Sequence, residues 1–146
     1  LNPSAVQPIP ARFPGQDFGQ LLKSCRAQGV GAIGIRALAA GALSGVPERH
    51  PIATRTAEPI ATGPDYLTDV RRAQRFRILV EEGHAASLVE AALRFAITTD
   101  AMSTVLVGFS CLEQLEAAAA AVGRGPLPPA ALERLAAVWR ELTNDG

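Results

Sequence analysis

Gly108 and Ser110 sit between an apolar run and a helical pattern, and their spacing is what most directly suggests chemistry in this chain. Val105, Leu106 and Val107 read as a short strand buried on both faces, and Gly108 breaks it. Ser110, with Glu113 three positions on, fits a helix capping box; Leu112, Leu115, Ala119 and Val122 recur along one helical face. A strand that passes through glycine into a helix start offers unpaired N–H groups and the positive end of the helix dipole, so it can receive a phosphate. The same junction can also simply turn the chain. An N-cap role for Ser110 is compatible with either reading.

A second stretch has the same form. Residues 31–35 read as a short buried strand running into residues 36–45, where Gly41 and Gly45 either let the main chain approach an anion or serve a tight turn needing positive φ. Arg36, at the strand end, can reach a phosphate or carboxylate, or stand salt-bridged or solvated. Tyr66, the only tyrosine, reads as a packing residue and Lys23, the only lysine, as a solvated one, each in a helix far from any strand end. His50 falls in a Pro-rich loop and His84 between helices, and no His/Asp/Glu group has metal-ligand spacing. Cys111 at a helix start has the setting for some thiolate character, and a buried inert thiol is the competing reading.

The elements that must position these residues alternate between strand and helix. After a Pro-rich segment over residues 1–16, Asp17 is expected to cap a helix whose face is Phe18, Leu21, Leu22 and Cys25, with Gly29 just past its end. A long loop or mobile lid is expected over residues 46–64, which hold Pro47, Pro51, Pro59, Gly63 and Pro64. Helices follow near 65–82 and 87–99, the second opened by Ser87 and Glu90, then the strand at 104–108 and a helix over 111–122. Past Pro126, Pro128 and Pro129, Leu132, Leu135, Trp139 and Leu142 mark a last amphipathic helix. The alternation implies parallel strands joined by crossovers and nearly covered by helices. With 14 basic against 14 acidic residues, nothing in the charge calls for nucleic acid or an anionic membrane, and Arg71, Arg72, Arg75 and Arg77 read as a solvated helix face. No apolar run approaches the roughly 20 residues of a membrane span and no signal peptide opens the chain, so a cytoplasmic protein is the default expectation.

In order and spacing these motifs resemble the carboxy-terminal part of an aldo-keto reductase. Leu38, Gly41, Leu43, Ser44 and Gly45 match the family's Leu-x-x-Gly-x-Leu-[Ser/Thr]-Gly loop after the penultimate barrel strand. Gly108, Ser110, Glu113, Gln114 and Leu115 match Gly-x-Ser and Glu-Gln-Leu after the last strand, and residues 92–96 and Asn2-Pro3 also fit. The resemblance implies an α/β fold, the last three strands or so of a (β/α)₈ TIM barrel forming one partial domain over residues 1–146. At 146 residues the chain is shorter than the roughly 250 a whole barrel takes, and with Leu at its start it looks truncated. The implied parent reduces an aldehyde or ketone with NADP(H). The resemblance assigns Arg36, Leu38, Gly41, Gly108, Ser110 and Gln114 to the cofactor cradle. The family often has Arg or Lys at the position of Gln114, Glu-Asn at Ala117 and Ala118, and an aromatic at Ile35; these departures leave NAD(H) open as the cofactor. None of the family's catalytic Asp, Tyr, Lys and His can be placed on this chain. The expected partners are a small carbonyl substrate and either the missing amino-terminal barrel portion or a second copy. The competing readings are a non-catalytic α/β module that binds a nucleotide and one that binds a partner.

Overall fold

A computed structural model describes residues 1–54, 58 and 63–143. The stretch of the expected long loop that includes Pro59 lies outside the described residues. The first helix, α1, spans Leu21–Ala27 and is followed by strand β1, Ile33–Gly34. Helices α2 (Tyr66–Gln74), α3 (Ile78–Glu81) and α4 (Leu88–Ala96) come next, then strand β2 (Thr104–Val105) and helices α5 (Leu112–Gly123) and α6 (Pro129–Leu142). Short 3₁₀ turns cover Pro3–Ala5, Ala39–Ser44 and Arg75–Arg77.

Local chemistry explains most of these boundaries. The Asp65 carboxylate accepts from the Thr68 N–H at 2.7 Å and Ser87 Oγ from the Glu90 N–H at 3.1 Å, which starts α2 and α4. The backbone stays right-handed through Gln74, Arg75 and Arg77, so α2, the 3₁₀ turn and α3 form nearly the one helix expected from residue 65 to 82. α1 ends in a Schellman turn, with Gly29 at φ +66 and Val30 N–H donating to Cys25 O at 2.9 Å. Its start departs from expectation: Asp17 accepts from Gly19 N–H, two residues on, and left-handed Gln20 is the N-cap. The short loop at Asp17 closes on itself, and the cap shifts downstream.

β1 and β2 pair in parallel, Ile33 opposite Thr104 and Gly34 opposite Val105. The pairing extends through Ser103 N–H to Ala32 O at 2.9 Å and Leu106 N–H to Gly34 O at 2.8 Å. Gly34 permits the close approach: a Cβ there would stand 3.1 Å from Met102 Sδ and 3.3 Å from Val105 Cγ2. The strands are shorter than the expected 31–35 and 104–108, and they are not buried on both faces. Ile33 and Ile35 are each 63% exposed and Leu106 59%, because the sheet has two strands among the described residues and neither has a second neighbour. In place of the three or so barrel strands expected, the described residues hold one parallel pair beside a helix-rich body.

The core lies instead among the helices. Val70, Leu79, Leu88, Phe95, Leu135 and Trp139 belong to one buried cluster, into which Ala42 and Leu43 of the 3₁₀ segment also pack. Trp139 meets Phe95 edge-on, with centroids 6.0 Å apart, and its indole N–H donates to Leu1 O at 2.8 Å. α5 is held outside this cluster. Only Ala121 of that helix is buried, while Leu112, Leu115 and Val122 of its expected inner face are exposed. An ion triad fixes its far end: Glu90 takes Arg94 Nη1 at 3.0 Å and Arg124 Nη1 at 2.9 Å. Arg94 also donates to Gly125 O at 3.0 Å, His84 O at 2.9 Å and Pro126 O at 3.1 Å.

Candidate functional site

The parallel register sends the chain out of adjacent strands at the same end of the sheet, through residues 35–41 on one side and 106–110 on the other. At the close of the first segment Ala39, Ala40 and Gly41 are left-handed, with φ of 48°, 55° and 100°, and Arg36 at its start has φ 58°. A left-handed residue that carries a Cβ costs on the order of 1–2 kcal/mol, so neighbouring contacts must hold this backbone. Ala39 N–H donates to Arg36 O at 2.9 Å, and Gly41 N–H to Leu38 O at 2.8 Å. Beyond it Gly45, at φ 78°, fits under Leu88, whose Cδ1 would lie 2.6 Å from a Cβ on that residue. Gln74 Nε2 donates to the Gly45 carbonyl, and the loop is thereby docked on α2 and α4.

Arg36 is exposed and makes no ion pair among the described residues, leaving one unpaired cation at the strand end. Leu38 and Gly41 are half-buried in the turn itself. On the other side Gly108 is exposed, with no atom within 4 Å of where its Cβ would stand, so a bulky ligand group can approach its backbone.

The start of α5 differs from the expected capping box. Cys111, not Ser110, is the N-cap, and Glu113 does not reach back to Ser110. The Ser110 N–H donates to Gln114 Oε1 at 2.7 Å. Gln114, one turn into the helix, satisfies the donor that an anion would otherwise take. Glu113 holds a second position: its carboxyl lies below the usual carboxylate range because its own backbone N–H donates to it, then because of the Cys111 thiol and the charge of His50. His50 thus comes from the Pro-rich loop to within electrostatic reach of the α5 start. The two segments that leave the sheet, residues 35–41 and 106–110, share its same end.

A nicotinamide dinucleotide would meet this region unevenly. The open backbone at Gly108, the turn at Leu38–Gly41 and the unpaired Arg36 suit a pyrophosphate. The α5 start suits it less, since Gln114 already occupies the Ser110 N–H and Glu113 adds negative charge. A separate cavity of about 520 Å³ lies towards the helices, lined by Phe13, Ile35, Arg36, Phe76, Phe95 and Met102 among others. Of the six cradle residues assigned from sequence only Arg36 lines it; the other five lie outside.

Tyr66 departs from its expected remoteness. A Cβ on Gly41 would stand 3.4 Å from its hydroxyl, so it packs against the turn that follows β1. Arg49, which no sequence pattern marked, lies beside it, with its guanidinium carbon 5.3 Å from the Tyr66 ring centroid. A lone arginine in a Pro-rich loop has no periodicity to reveal such a role. Cys25 and Cys111 are half-buried free thiols, and no three His, Cys, Asp or Glu among the described residues are grouped to hold a metal. No helix among the described residues is long and apolar enough to cross a membrane.

Among families of known proteins, the model described as the Aldo/keto reductase family matches residues 13–140. Comparison with curated proteins and with solved structures gave no match.

Proposed function

This chain belongs to the aldo/keto reductase family, a family of oxidoreductases that use nicotinamide cofactors, and on that premise we propose that it supplies the pyrophosphate side of such a cofactor site. The observation that carries the reading is the parallel β1–β2 pair, because it puts the Leu38–Gly41 turn and the Gly108–Ser110 junction at one end of the sheet. Arg36 supplies charge, Leu38 and Gly41 a backbone shaped for close approach, and Gly108 an open main chain. Ser110 offers its hydroxyl, and Gln114 swings from the Ser110 N–H to admit the ligand. When bound, the cofactor supplies a hydride. The substrate is a small aldehyde or ketone, and the proton donor comes from outside residues 1–146.

NADP(H) is the family expectation. NAD(H) is the second reading, and one observation favours it: the start of α5 carries the Glu113 carboxylate, and uncharged Gln114 stands where the family often has Arg or Lys to pair with a 2′-phosphate. The exposed edges of β1 and β2, with Ile33, Ile35 and Leu106, are where further barrel strands join, supplied by an amino-terminal portion or by a second copy.

Calorimetric titration with NADPH and NADH tests the reading. Gly108→Arg is expected to abolish binding, and Ser110→Ala to weaken it by about 1.5–3 kcal/mol, the worth of a hydrogen bond to a charged group. Gln114→Arg is expected to move preference towards NADPH. Wild-type affinity in both the Gly108 and Ser110 variants would remove the junction from the site.

A further inference from the structure

The turn between Arg36 and Gly41 is strained and yet lies at an exposed end of the sheet, so something must hold it in shape. Arg49 makes the contacts that can. Its Nη1 donates to the carbonyl of Ala40, the middle of the three left-handed residues, and its Nε donates to Thr54 O at 2.7 Å. The guanidinium faces Tyr66, the first residue of α2, at 5.3 Å from the ring centroid. α2 is anchored in the core through Val70 and Ala73, and its first turn is capped by Asp65. Gly41 lies between the two partners: a Cβ there would stand 3.4 Å from Tyr66 Oη and 3.5 Å from Arg49 Nη1.

The geometry points to Arg49 and Tyr66 as a latch that keeps the Leu38–Gly41 backbone preformed for a phosphate-bearing ligand, with Arg49 a positioning residue that does not itself touch the ligand. The inference rests on the reading of that turn as part of the cofactor cradle. Its physics is pre-organisation. A left-handed alanine released from its restraint relaxes towards ordinary backbone, and apparent affinity then falls with the fraction of molecules that keep the binding shape. Arginine suits the task because its planar fork can donate to two carbonyls while its face stacks on a ring, which a lysine ammonium cannot reproduce. The latch also ties the Pro-rich loop to the turn, since Thr54 and Ala40 are bridged by a single side chain.

Hydrogen exchange read by mass spectrometry on the full chain tests this, with Trp139 fluorescence as a check on the global fold. Arg49→Met and Tyr66→Leu are expected to speed exchange in peptides covering residues 38–45 at least about tenfold, leaving peptides of α4 and α6 unchanged. Tyr66→Phe keeps the ring face and is expected to retain wild-type exchange. Titration with NADPH and NADH should show the same rank, both releasing variants binding at least about tenfold more weakly. Unaltered exchange in Arg49→Met and Tyr66→Leu overturns the latch, whatever the titration gives. Faster exchange in a protein whose wild type binds neither dinucleotide keeps the latch and removes the cradle reading. Faster exchange with unchanged affinity in a wild type that binds overturns the claim that the latch prepares the site. Should Arg49→Met fail to fold, the contrast between the two Tyr66 variants decides the matter alone.

Discussion

At the scale of single residues, the candidate site depends on backbone conformations that few side chains tolerate. Gly41 has φ of 100°, beyond the range that left-handed alanine occupies, while a methyl group there would meet Tyr66 Oη at an ordinary 3.4 Å. Gly41→Ala should therefore act through the backbone and lower stability by about 1–3 kcal/mol, read from urea unfolding followed by Trp139 fluorescence. An unchanged unfolding midpoint would mean that the turn relaxes freely. The Glu90 triad makes a second residue-level case. Replacing Glu90 by Ala leaves the Arg94 guanidinium, whose side chain is 13% exposed, without its carboxylate, and a loss of about 3 kcal/mol is expected in the same assay. A loss under about 1 kcal/mol would indicate that the three carbonyls around Arg94 suffice to satisfy it. Glycines 41 and 108 could be singled out from sequence because glycine marks where backbone turns left-handed, as at Gly41, or lies open to approach, as at Gly108. Arg49 could not, because its partners are a carbonyl, a second carbonyl and a ring brought together only by folding.

At the scale of elements, the helices begin where side-chain caps satisfy their first N–H groups. Ser87→Ala should cost about 1 kcal/mol and loosen the first turn of α4, visible as faster exchange at Ala91, whose N–H donates to Ser87 O. Two carboxylates tie helix starts to pH. Asp65 is held below the ordinary range, chiefly by the Thr68 backbone N–H and then by the Thr68 hydroxyl, and Glu113 by the contacts already described. A carboxyl whose folded pKa is depressed stabilises the folded state above its unfolded pKa, and that contribution fades as pH falls through the folded value. Thermal unfolding midpoints should therefore drop on acidification below the ordinary Asp and Glu range, and Asp65→Asn should flatten that drop. An equal acid slope in wild type and Asp65→Asn would show that α2 owes its pH response to other groups. α5 is the element where pattern and packing part. Its apolar repeat is real, but a helical face is buried only where something is present to cover it.

At the scale of the whole molecule, a well-packed helical cluster carries a parallel pair of strands that is itself uncovered. Exposed Ile33, Ile35 and Leu106, on strands with no further neighbour among the described residues, favour association, through an added strand or a second copy. Sedimentation velocity should show self-association that rises with concentration, and Ile33→Lys combined with Ile35→Lys should shift the protein to a monomer. A concentration-independent monomer in the wild type would count against it. Carbonyl reduction, followed as loss of NADPH absorbance with a panel of aldehydes, is expected to be absent for this chain by itself. A reduction needs a positioned acid as well as a hydride, and Tyr66, the sole tyrosine, is engaged with Arg49 and the Gly41 turn. Turnover that vanishes with Tyr66→Phe would reverse that assignment.

The sequence by itself determined the helices and their starts at Asp65 and Ser87, the Gly29 stop, the parallel pairing order and the family, since each depends on local spacing or on motifs read in order. It also marked Gly41 as a place of unusual backbone and Gly108 as an open one. Tertiary structure alone decided that Ile33, Ile35 and Leu106 lie exposed, that Gln114 and not Glu113 reaches back to Ser110, and that Arg49 meets Tyr66. Apolar periodicity states which face a segment would bury, but burial also requires a neighbour on that face. A hydrogen bond across a loop is settled by distances that no spacing along the chain encodes.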